Sequence, residues 1–153
     1  MPKDFDSWNL IKKMTDEKYI SRDFFFHERE VWWCSLGINI GVESDGKNYY
    51  FERPVLIVKK FNADMIWIIP LTSRRHDSEY YTKVYHEFGP SWACLTQLRV
   101  VSTKRLLRKI GMTIQTDFEV VLNSLSSFIK IETPAVSGGI SEAEATNETS
   151  LAP

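Results

Sequence analysis

The chain has 153 residues, 43% hydrophobic and 25% charged, the proportions of a single soluble globular domain. No apolar run approaches the roughly 20 residues that span a bilayer, which excludes a membrane-crossing helix. The net charge of −1 excludes a strongly basic protein, although residues 133–153 hold Glu142, Glu144 and Glu148 without a Lys or Arg, leaving 17 acidic against 19 basic groups elsewhere, a net +2.

The chain divides into three parts: a helical extension at 1–27, a body at 28–131 and a tail at 132–153. In the first, Phe5, Trp8, Ile11 and Met14 recur at helical spacing, with Asp4 or Asp6 as N-cap, predicting an amphipathic helix on the body. The N-terminal MPKDFDSWNLIKKM lacks the apolar core of a signal peptide, so the expected compartment is the cytoplasm. In the body, Glu30–Leu36 reads as a first strand, with Trp32 and Trp33 on opposite faces. A long loop follows, punctuated by Gly37, Gly41 and Asp45-Gly46. Pro54–Phe61 is a second strand; Asn62-Ala63-Asp64 reverses the chain, and Met65–Leu71 returns as a third. Glu79–His86 alternates loosely, Phe88-Gly89-Pro90 breaks the chain, and Trp92–Val101 forms a fifth strand. The period then changes: Ser102 caps a short helix over Thr103–Ile110, stopped by Gly111. A capping box, Thr116-Asp117-Phe118-Glu119, opens a last helix with Phe118, Val121, Leu122, Leu125 and Ile129 on one face. The acidic tail, rich in Ser, Thr, Gly and Ala, is expected to be disordered. Together these elements predict a mostly β, α+β fold: a small curled sheet or barrel with helices packed on it.

Several chemistries find no residues to carry them. There is no glycine-rich phosphate loop and no nucleophile elbow. His27, His76 and His86 are scattered, and Cys34 and Cys94 are far apart, so neither a metal nor a cofactor is expected. What remains lies at strand ends. Arg53 begins the second strand and Thr72 ends the third; if the two form a hairpin, these ends are neighbours. Alone, Arg53 reads as a solvated charge. Beside a hydroxyl it becomes a fork able to grip phosphate oxygens, suited to the pentacoordinate state formed when an RNA 2′-OH attacks its own phosphodiester.

The segments REVWWCSLGINIGVE, RPVLIVKKF, IIPLTS and LTQLRVVSTKRLLRKIG resemble, in order and spacing, the MazF/PemK-like toxins of type II toxin–antitoxin systems, over about residues 28–130. The resemblance implies the SH3-like barrel shared by the MazF, Kid and CcdB toxins, usually a homodimer. It implies metal-independent cleavage of single-stranded RNA to a 2′,3′-cyclic phosphate, and an antitoxin that blocks the RNA groove. The catalytic arginine of the family's Arg-Pro-Val motif falls on Arg53, its strand-end Thr or Ser on Thr72, and its fifth-strand glutamine on Gln97. Beside these, Ser73 is placed to bond phosphate, Tyr81 to stack on a base and Glu43 to order the first loop. The chain departs from the family in Asn48–Phe51, which lengthens that loop, and EYYTKVYHEF supplies no clear equivalent of a fourth-strand acid/base residue. Two rival readings remain. One is a CcdB-like gyrase-poisoning toxin, disfavoured by the Ser-Leu-Ala-Pro ending; the other is a non-catalytic barrel that binds RNA or protein.

Overall fold

A computed structural model describes residues 2–131, so the tail expected to be disordered lies outside the described residues. Among these residues are a helix α1 (Phe5–Glu17), seven strands and a helix α2 (Gln115–Phe128). The strands are β1 (Glu30–Ser35), β2 (Glu52–Lys60), β3 (Met65–Thr72), β4 (Tyr81–His86), β5 (Gly89–Cys94), β6 (Arg99–Ser102) and β7 (Leu106–Met112). They run antiparallel in the order β4-β5-β3-β2-β1-β7, with β6 also on β3.

The centre is the β2–β3 hairpin. Val55, Leu56, Ile57 and Val58 are all buried, because both faces of β2 are covered. One face packs with Trp32, Ile66, Ile68 and Leu106; the other with Ile69, Leu71, Val84 and, from α2, Phe118 and Val121. Bulges interrupt the pairing of β1 with β7 and of β2 with β3, bending the sheet. The sheet stays open and is barrel-like only loosely; its ends approach where the Ile114 N–H donates to the Tyr85 carbonyl at 3.1 Å.

Four local expectations are corrected. The predicted fifth strand is two strands split by a 3-10 turn at Leu95–Gln97. The register shows why: Leu71 faces Ala93 and Ile68 faces Arg99, so three steps along β3 match six along its neighbour, and three residues are looped out. The predicted Thr103–Ile110 helix is only one 3-10 turn, Thr103–Arg105, before the chain becomes β7. Pairing with β1 and burial of Leu106 override helical propensity there, and Gly111 lies inside the strand opposite Val31. The capping box does not form; the Asp117 carboxylate instead accepts the Tyr85 N–H at 2.8 Å. Finally, α1 is capped by Asp4 as expected, but only Trp8 of its apolar stripe is fully buried, while Phe5 and Met14 are exposed.

Candidate active site

Arg53 and Thr72 meet. Extending the β2–β3 register two residues past Val55–Pro70 sets them opposite one another, and both line a cleft of about 280 Å³ with Trp33, Lys47, Glu52, Ser73 and Ser91. The proximity follows from the hairpin: the Asn62–Asp64 reversal fixes the register, and register fixes which strand ends are neighbours.

The guanidinium is held by main chain. Arg53 Nε donates to the Asp45 carbonyl at 2.6 Å. Its Nη1 reaches only the Leu71 carbonyl, at 3.5 Å, and among the described residues Nη2 has no partner. Partial burial pulls its pKa below the ordinary arginine value, and the Asp45 charge opposes the shift. An arginine starts so far above neutrality that it stays charged. The Asp45 carboxylate itself is engaged by Lys3 Nζ at 2.8 Å and by the Asn39 N–H at 2.6 Å. The nearby Glu52, 7% exposed, is gripped by both Arg108 Nη atoms, at 3.3 and 2.9 Å. Thr72 Oγ1 accepts the Arg74 N–H at 3.2 Å, which leaves the hydroxyl proton available to another acceptor.

The loop before β2 is built to deliver that carbonyl. Gly46 packs so closely on the Phe51 carbonyl that a Cβ would stand 1.7 Å from the oxygen. Gly37, at φ +89°, lies under the Trp8 indole, where a Cβ would come within 2.3 Å. Both positions therefore require glycine.

The remaining expected residues do not gather in the cleft. Gln97 sits in the 3-10 turn, where Oε1 accepts the Ser44 N–H at 2.9 Å and Nε2 donates to the Val42 carbonyl at 3.2 Å, so it ties down the loop. Glu43 also serves the loop, accepting the Ile40 N–H at 2.9 Å. Tyr81 stacks flat on His76 at 3.9 Å, and Cys94 and partial burial hold its phenol above its ordinary pKa. Ser91, absent from the sequence-based set, lines the cleft and lies 3.0 Å from His86 Nε2. The pair bridges the β4–β5 hairpin that the Phe88-Gly89-Pro90 break creates; that turn was the one available signal. Burial lowers the His86 pKa, against the pull of Glu87. The Asp45 carbonyl left no trace in the sequence, since any residue supplies one.

Known proteins share this fold. The profile described as "PemK-like, MazF-like toxin of type II toxin-antitoxin system" matches residues 27–129. The structure resembles MazF (Form-I) from Deinococcus radiodurans, with a TM-score of 0.58 at 16% identity over 69% of this chain and 97% of that one. It also resembles an endoribonuclease in complex with its cognate antitoxin from a Mycobacterial species, with a TM-score of 0.53 at 15% identity over 70% and 97% of the two chains. MazE–MazF (Form-II) from Deinococcus radiodurans gives 0.53 at 13% identity over 69% and 96%. No curated protein matches the sequence significantly. Such identities carry the fold alone, whereas the profile covers residues 27–129, most of the chain. The chain belongs to the PemK-like, MazF-like toxins of type II toxin–antitoxin systems.

Proposed function

We propose that the protein is a toxin endoribonuclease that cuts single-stranded RNA at short sequences without a metal ion, leaving a 2′,3′-cyclic phosphate and a 5′-OH. It acts as a cytoplasmic homodimer and is silenced by a cognate antitoxin. The observation that carries the reading is the Arg53 guanidinium, fixed through Nε by a neutral carbonyl and lining one cleft with Thr72 and Ser73. In this mechanism the 2′-oxygen forms a bond to phosphorus and the bond to O5′ breaks. Arg53 takes the growing charge on the non-bridging oxygens, and Thr72 donates a further hydrogen bond. The proton of the 2′-OH passes through the Ser91 hydroxyl to the neutral His86 imidazole, and the leaving O5′ takes a proton from water.

The test is incubation of the purified protein with a long RNA in EDTA, followed by mapping of fragment ends. Defined cuts with 5′-OH ends are expected. Replacing Arg53 with Ala should slow cutting by at least about 10²–10³-fold, the range seen when a developing oxyanion loses a donor, with the fold intact by circular dichroism. Arg53→Lys keeps the charge without the fork and should recover only part of the rate. Full activity of a folded Arg53→Ala protein refutes the mechanism; binding without cuts would favour a non-catalytic RNA-binding barrel.

A further inference from the structure

Next to the cleft, the chain presents two aromatic rings to solvent. Tyr49 and Tyr50 are 92% and 63% exposed at the tip of the Asn48–Phe51 turn. This turn is firmly built. Lys47 and Glu52 exchange both backbone hydrogen bonds, at 2.7 and 2.9 Å. Asn48 adopts φ +59° and its Oδ1 accepts the Tyr50 N–H at 2.9 Å. Phe51 adopts φ +53°, a left-handed conformation that asparagine tolerates and phenylalanine does not, so its surroundings must hold it there. Those surroundings are α1: the Phe51 ring is buried edge-on against Trp8, 5.7 Å between centroids. Helix α1 lies outside the segment that matches the family. Lys47 and Asn48, which lead into the turn, line the same cleft as Arg53 and Thr72.

We infer that the Tyr49–Tyr50 turn is a stacking platform for an unpaired RNA base next to the scissile phosphate, and that α1 braces it. This rests on the endoribonuclease reading. The strained backbone keeps two large rings out of the core, where apolar burial would otherwise draw them. An exposed aromatic face at the lip of a phosphate-binding cleft suits a nucleobase, because every base offers a π-face. The adjoining Lys47, which makes no ion pair among the described residues, suits the phosphate of the same nucleotide.

The experiment measures fluorescence anisotropy of a labelled single-stranded RNA with Arg53→Ala protein, so that cutting is slow on the timescale of binding, and KM and kcat with Arg53 in place. Each ring replaced by Ala should weaken single-strand binding by about 5- to 150-fold, the range for loss of one base–aromatic stack. Tyr49→Phe and Tyr50→Phe keep the π-face and should bind nearly as the parent does. KM should rise in the Ala variants while kcat holds. Unchanged RNA binding by the double Ala variant overturns the platform and leaves the nuclease reading standing, as would a Phe pair as weak as the Ala pair. If the parent neither binds nor cuts single-stranded RNA, the platform falls together with the nuclease reading.

Discussion

Trp8→Ala isolates what the N-terminal helix contributes. Trp8 is the one fully buried side chain of α1, 6% exposed, wedged between Gly37, Phe51 and the Arg105 guanidinium, which lies 5.5 Å from its ring. A buried tryptophan removes about 150–250 Å² from water. At roughly 25 cal/mol per Å², that is about 4–6 kcal/mol, in line with the ~3–5 kcal/mol lost in measured Trp→Ala changes. What remains to hold α1 is weak. Lys3 pairs with Asp45 at 2.8 Å, Lys18 reaches the Leu106 carbonyl at 3.1 Å, and Lys104 reaches the Asp16 carbonyl. Exposed contacts of this kind contribute about 0–1 kcal/mol each. The larger number decides the outcome: without the indole α1 should undock, while the sheet, whose core lies elsewhere, keeps its cooperative transition. Native-state hydrogen exchange should show amides of residues 5–17 losing protection, with those of Val55–Val58 keeping theirs. The loop that carries the Asp45 carbonyl loses its brace at the same time, so RNA cleavage should slow although no cleft residue has changed. Retained protection across α1 in the variant would refute the reasoning, because it would mean that the polar contacts hold the helix.

Three further outcomes follow from the site. Burial keeps His86 neutral to lower pH than an ordinary histidine, so cleavage should fall only as pH drops below the usual value near 6.5, and His86→Ala should abolish that acid limb of the pH–rate profile. The same shift bears on stability: the unfolded chain binds the proton first, so through this group stability is kept above about pH 6.5 and lost as pH falls below it; His86→Ala should flatten that slope in denaturation measured between pH 5 and 7. Gln97→Ala removes two hydrogen bonds to the loop, each worth about 0.5–1.5 kcal/mol, and should speed exchange of the Ser44 amide; an unchanged Ser44 amide would return Gln97 to the role of RNA contact.

The sequence made the central hairpin legible because its signal is local and redundant. A continuous apolar run, an Asn-Ala-Asp reversal and a second run leave little freedom in register, and register alone brings Arg53 to Thr72. What it hid was non-local. Leu106, Leu107 and Ile110 sit at spacings a helix accepts, and only the unpaired edge of β1 makes that stretch a strand. Gln97 looked like a strand residue because the looped-out turn has no sequence mark of its own; the offset exists only in the pairing with β3. The helical stripe of α1 was real, yet the body offers a socket for one side chain, so periodicity overstated how much of the helix is buried.

The choice of partner for Arg53 is where structure bears most directly on chemistry. Two carboxylates lie near it in the chain, Asp45 and Glu52, and either, paired to the guanidinium, would orient it and also cancel the charge that the proposed mechanism asks of it. Each is engaged elsewhere: Asp45 by Lys3 and the Asn39 amide, Glu52 by Arg108. Arg53 is left with carbonyl dipoles, which fix its direction at little expense of its charge. An oxyanion-stabilising group works best when it is oriented before the reaction and its charge is not already spent on a counter-ion. The Glu52–Arg108 pair, on this argument, protects the proposed site by occupying a carboxylate that also lines the cleft. Removing Arg108 would leave a buried carboxylate of the cleft lining without its ion-pair partner, and its negative charge would then work against binding of a phosphate there.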